Sequence, residues 1–131
     1  FASLAPDLQE TLCGEFLRLR WDELPKLPRI HSFLMPIGRT MKDVDIFGVS
    51  ESGVKILSQV TYGTLKASQH KLKSLKEFQC TDENNELVLF CNHASYEEIE
   101  GVHIVPVEEV FSMFESTITG QNWVLAHTLR T

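Results

Sequence analysis

MKDVDIFGVSESGVKILSQVTY, residues 41–62, is the stretch from which the rest of the chain is read. Two apolar-rich runs, 44–49 and 54–62, flank Ser50-Glu51-Ser52-Gly53, a short polar link whose glycine can take positive φ, and this pattern predicts a β-hairpin. Side chains alternate between the faces of a strand. Val44 and Ile46 are therefore expected on one face and Asp45 and Phe47 on the other, while Val54, Ile56, Ser58, Val60 and Tyr62 oppose Lys55, Leu57, Gln59 and Thr61. Pairing the start of the first strand with the end of the second brings Asp45 beside Gln59 and Thr61. On the residues alone two readings of Asp45 stand: a carboxylate that caps the strand or bonds the turn, or a ligand in a site, since buried polar groups are normally satisfied either way.

Working outward toward the N-terminus, Leu8, Leu12, Phe16 and Leu19 recur at helical spacing behind Pro6 and Asp7, with Glu10 three residues after Asp7 as a capping-box partner. A helix of about four turns is expected. Residues 21–28, WDELPKLP, carry two prolines and read as a loop. Residues 30–37, IHSFLMPI, are apolar enough for a strand that Pro36 limits or ends. Arg39 and Lys42 flank Asp43 and Asp45, either as surface ion pairs or facing a phosphate.

Toward the C-terminus, TLKASQHKLKSLKEF (64–78) places Leu65, Leu72, Leu75 and Phe78 on one helical face. Lys66, Lys71, Lys73 and Lys76 in the same segment are almost unopposed by acids, which reads either as a solvated face or as a phosphate-contacting one. After the polar turn 81–85, ELVLFCN (86–92) is a nearly continuous apolar run, as expected of a strand buried on both faces. A polar connector, 93–101, precedes the short strand VHIV (102–105), after which Pro106 and Glu108 open a helix through Val110, Phe111 and Phe114. A last strand is expected around 123–126.

At 131 residues the chain has the length of one domain able to bury a core, and 43% hydrophobic with 23% charged residues are ordinary globular proportions. No apolar run approaches the roughly 20 residues of a membrane span, and the first ten residues lack a signal peptide's basic and apolar regions, so an intracellular, cytoplasmic protein is expected. Three cysteines, Cys13, Cys80 and Cys91, lack a metal-binding cadence and suit buried thiols in a reducing compartment. A start on Phe1 rather than Met raises the expectation of a fragment with a fused partner domain. The net charge of −6 weighs against a dedicated nucleic-acid binder, although a nuclease site is itself acidic.

An acid at the start of one strand, a hairpin, a Gln-x-Lys position late in the next strand and then a helix form one pattern, carried here by Asp45 in DVDIFG and by Gln59-Val60-Thr61 in ILSQVTYG. In this order of pieces, over about residues 8–115, the chain resembles the Mrr-type branch of the PD-(D/E)xK restriction endonuclease superfamily. The resemblance implies an α/β, restriction endonuclease-like fold, with a central mixed sheet of about five strands flanked by helices. It also implies a divalent-metal endonuclease acting on DNA, with Mg²⁺ or Mn²⁺ held by Asp45 and Gln59. A first-helix acid, Glu10 or Glu15, would then supply a second negative charge. Asp43 shares the face of Asp45, but the family pattern puts the ligand inside the strand and favours Asp45. The departure is Thr61, which stands where the family carries its catalytic lysine and has no positive charge to offer. Lys66, just past the strand end, is the best-placed substitute.

Two functional expectations follow. One is an endonuclease domain that acts on DNA phosphodiesters. The other is a catalytically inactive nuclease fold kept as a binding module for nucleic acid, through Lys66, Lys71, Lys73 and Lys76, or for a partner protein. A homodimer is implied by the resemblance alone. An unrelated small α/β domain whose hairpin mimics the motif is the remaining reading.

Overall fold

A computed structural model describes residues 6–19, 30–34, 44–81 and 84–116. The hairpin is its centre. Strand β2 (Ile46–Val49) pairs antiparallel with β3 (Lys55–Thr64), Ile46 opposite Ser58 and Val49 opposite Lys55. The link closes as a turn: the Gly53 N–H donates to the Ser50 carbonyl at 3.0 Å, and the Val54 N–H to Ser50 Oγ at 3.1 Å. Gly53 has φ +87°, a conformation that a Cβ would strain.

Strand β1 (Ser32–Leu34) adds to the outer edge of β2, antiparallel. From the end of β3 a 3₁₀ turn (Lys66–Ser68) leads into helix α2 (Gln69–Thr81), which carries the chain back so that β4 (Glu86–Asn92) lies parallel to β3. β5 (Glu97–Ile99) and β6 (Val102–Pro106) form a second hairpin, with β6 parallel to β4 and β5 at the far edge. The result is a six-stranded mixed sheet in the order β1-β2-β3-β4-β6-β5, with α1 (Pro6–Arg18) and α3 (Val107–Ser116) as its other helices. The chain is therefore α/β.

Alternation sorts the core into two layers. Ile46, Ile56, Val88, Phe90 and Val105 face Leu12, Cys13, Phe16 and Leu17 of α1 and Val110 and Phe114 of α3. Phe16 and Phe90 meet edge to face with centroids 6.4 Å apart, a favourable aromatic geometry. Leu57, Leu87, Leu89, Cys91 and Ile104 face Leu72 and Leu75 of α2. Leu87 to Cys91 are all buried, because β4 is covered on both faces.

Four expectations change in detail. The sheet has a sixth strand, β5, inside the segment expected to be a polar connector. Edge strands carry exposed charges such as Glu97 and Glu98, so no apolar alternation marks them. The expected helix 64–78 is divided: Thr64 still belongs to β3, and its Oγ1 accepts the Ala67 N–H at 3.2 Å, opening the 3₁₀ turn before α2. Pro106 ends β6, opposite Cys91, and α3 begins at Val107. Finally, Val44 does not share a face with Ile46: it packs in the α2-side layer beside Phe47, because the chain bends at Asp45 and breaks the alternation.

The expected loop 21–28, Pro36, the ion pairs of Arg39 and Lys42, the alternative ligand Asp43 and the strand at 123–126 lie outside the described residues. Among the described residues no helix is long and apolar enough to cross a membrane.

Candidate functional site

Asp45 stands where β2 gives out. Its own N–H donates to the Ser58 carbonyl at 2.9 Å, and its Oδ2 accepts the Val60 N–H at 2.8 Å. The side chain thus replaces the next rung of the ladder, satisfying a β3 donor that β2 no longer reaches. The expected neighbourhood is met at the backbone: the carboxylate accepts the N–H of Val60, the residue between Gln59 and Thr61.

The side chains of that motif go elsewhere. Gln59 is 3% exposed and lies opposite Leu89 in register, two residues along from Leu57, which places it on the α2 side of the sheet. Thr61 Oγ1 accepts the Gly63 N–H at 3.2 Å, where the β3–β4 register shifts between Val60 and Thr64. Val60, the residue between them, packs on the α1 side.

Glu10, the expected second acid, is half-buried on α1 one turn before Cys13. Burial first, then the charges of Glu10 and Asp45, hold the Cys13 thiol well above its ordinary range. Both carboxylates are thus near enough to act on this buried thiol. Tyr62, 45% exposed, is also pushed up, by burial, then by Cys13 and Glu10. Glu15 is instead paired with Arg18, whose guanidinium is raised mainly by that hydrogen bond.

The pair expected to hold Mg²⁺ or Mn²⁺, Asp45 and Gln59, is not brought together as convergent oxygen ligands. One Asp45 oxygen is engaged by the backbone, and the Gln59 amide belongs to the other face of the sheet. Among the described residues no three His, Cys, Asp or Glu side chains come together to hold a metal.

A different feature lies at the carboxyl ends of the parallel strands. Thr64 and Leu65 from the end of β3, Lys66 and Gln69 from the start of the α2 segment, and Asn92, His93 and Ala94 after β4 line a cleft of about 700 Å³. Open α/β sheets place ligands at such strand ends. The lining holds a cation and several N–H and O–H donors, and no carboxylate. Of the four expected lysines, Lys66 lies in the cleft and Lys73 is exposed on α2, with Lys71 half-buried there. Lys76 is not unopposed as expected: its Nζ donates to Glu100 at 2.5 Å. The pairing was invisible locally because Glu100 comes from the β5–β6 turn.

From the sequence, Gln69 stands among the α2 lysines and Cys91-Asn92-His93 offers at most two zinc ligands; nothing there joins Gln69, Asn92 and His93 into one cleft. The signal for Asn92 and His93 was their place just past an apolar strand that runs parallel to its neighbour. Sequence reading passed over His103, a histidine 5% exposed whose Nδ1 meets the Tyr96 hydroxyl at 2.7 Å and whose Nε2 faces Glu86 Oε2 at 3.3 Å. This bridge ties the second hairpin to the start of β4, at the end of the sheet away from the cleft. No family model, no curated protein and no solved structure matches this chain.

Proposed function

We propose that this chain is a nuclease-like α/β domain that binds nucleic acid without cutting it. The single observation that carries the reading is the use of Asp45 as a backbone cap, with Gln59 on the opposite face and Thr61 in place of a lysine. Asp45 and Gln59 then do not converge on one cation, and Thr61 brings no positive charge, which weighs against phosphodiester hydrolysis at these residues. The element order, a helix, three antiparallel strands, a helix and a parallel strand, is in keeping with the Mrr-type resemblance. Lys66 in the cleft and the cationic residues of α2 supply what binding requires, since phosphate contacts by Lys and Arg account for most non-specific affinity.

The test is fluorescence anisotropy with single- and double-stranded DNA, beside a plasmid cleavage assay with Mg²⁺ or Mn²⁺. Binding without cleavage is expected, weakened by Lys71→Glu with Lys73→Glu, with a shallower salt dependence in the variant. Cleavage by wild type that disappears in Asp45→Ala would overturn the proposal in favour of an active endonuclease. Affinity unchanged by the charge reversal would remove α2 from the binding surface.

A further inference from the structure

We infer that the cleft at the ends of β3 and β4 seats a phosphate monoester carried by a nucleotide, either free or at the end of a strand. The inference rests on the nucleic-acid reading only for the second of these sources.

A phosphate monoester makes particular demands of its site. It carries nearly two negative charges and three terminal oxygens, so it needs a cation and several donors at once, whereas an internal phosphodiester offers one charge and two oxygens. The cleft has that surplus. Lys66 brings an ammonium, and it is exposed, with no ion pair among the described residues. Gln69 spends one amide N–H on the Leu65 carbonyl at 3.0 Å, which anchors the side chain and leaves its second N–H. Thr64 Oγ1 accepts the Ala67 N–H, so the hydroxyl proton is available to donate elsewhere. Asn92, opposite Thr64 in register, is exposed and adds an amide. His93 is tied to Glu97 Oε2 through Nε2 at 2.6 Å, which fixes the imidazole in the cleft wall.

Size and wall chemistry agree. A volume of about 700 Å³ lies in the range of small-ligand sites and exceeds what an inorganic anion fills. Leu65 and Ala94 supply apolar wall that suits a sugar or base without reading its edge. On a protein of net charge −6, Lys66 gives this cleft a local positive charge toward an anion.

The test uses the full chain labelled for amide NMR, titrated with inorganic phosphate, with thymidine 5′-monophosphate, and with oligothymidylate bearing a 5′-phosphate or a 5′-hydroxyl. Phosphate and the mononucleotide are expected to move the amides of Thr64, Lys66, Asn92 and His93. The phosphorylated oligonucleotide should bind about tenfold more tightly than the hydroxyl form, the worth of a charge-assisted contact. Lys66→Ala should bring that ratio close to one; Asn92→Ala, which removes no charge, should lower it less. Both sites are exposed, and the dispersion of the spectrum confirms folding.

Equal affinity for the two ends, with the cleft amides unmoved by phosphate, would overturn the inference while the binding proposal stands. Cleft shifts with the mononucleotide but no binding of either oligonucleotide would support the cleft as a free-nucleotide site and overturn the nucleic-acid reading. No response to any probe would overturn both.

Discussion

Replacing Asp45 with alanine is the perturbation that separates a capping carboxylate from a metal ligand. In the structure Asp45 Oδ2 holds the Val60 N–H at 2.8 Å at the point where β2 ends, and Val60 is half-buried against the α1 layer. Losing a charged acceptor there leaves a partly buried amide unpaired, at a cost of about 2 kcal/mol. For a chain of this length that corresponds to a fall in Tm of roughly 7 °C. Asp45→Asn keeps a carbonyl acceptor in the same place and should lose less than half as much. Urea unfolding, with an unchanged m value, measures both variants in metal-free buffer. The reasoning fails if Asp45→Ala stays within about 0.5 kcal/mol of wild type, the scatter of ordinary surface changes, while Mg²⁺ raises the Tm of wild type alone. That pair of results would make the carboxylate a ligand.

Other expectations follow from the core and its edges. Phe90→Ala removes the edge-to-face partner of Phe16 in a fully buried layer and should destabilise the fold by about 3–5 kcal/mol in the same assay. Burial pushes the Cys91 thiol from its ordinary 9.0 up to about 11. A folded pKa above the unfolded one favours the native state at lower pH, so stability is fully present below pH 9 and is lost as pH rises through 11, by about 3 kcal/mol. Cys91→Ala should flatten that alkaline slope in unfolding curves taken across the window, where the raised Cys13 thiol leaves a residual slope. Tyr96→Phe deletes the hydroxyl on His103 Nδ1 and should cost about 1 kcal/mol, with hydrogen exchange rising in β5 before β4. Glu100→Gln breaks an exposed ion pair with Lys76 and should cost less than about 1 kcal/mol, shrinking further in high salt.

Where the pattern was local, the fold could be read directly. The turn residues Ser50 to Gly53 between two alternating runs announced β2 and β3, and the unbroken apolar run of β4 announced a strand covered on both faces. Helical spacing likewise identified the buried Leu12 and Phe16 and the buried Leu72 and Leu75. β5 could not be found that way, since Glu97 and Glu98 are exposed on an edge. The remaining clue was the turn after it, Glu100 at φ +50° and Gly101 at φ +83°, two positive-φ residues of the kind that close a two-residue hairpin.

The candidate site was legible as a set of residues but not as an arrangement. Period-two alternation put Gln59 on the face of Leu57, where it lies, and it would have put Asp45 there too had β2 continued as a regular strand. The bend at Asp45 ended that rule, and the carboxylate found a backbone donor instead. Lys76 lost its expected freedom to Glu100, 24 residues further on, and Asn92 came beside Thr64 only through the parallel pairing of β3 with β4. By itself the chain order of apolar and polar residues determined the elements, because burial of one face imposes a short-range period on each. Which face the acid takes, which lysine stays unpaired and which strand ends meet to form a cleft were decided by tertiary structure, because those contacts join residues far apart in the chain and are set by sheet register rather than by any local repeat.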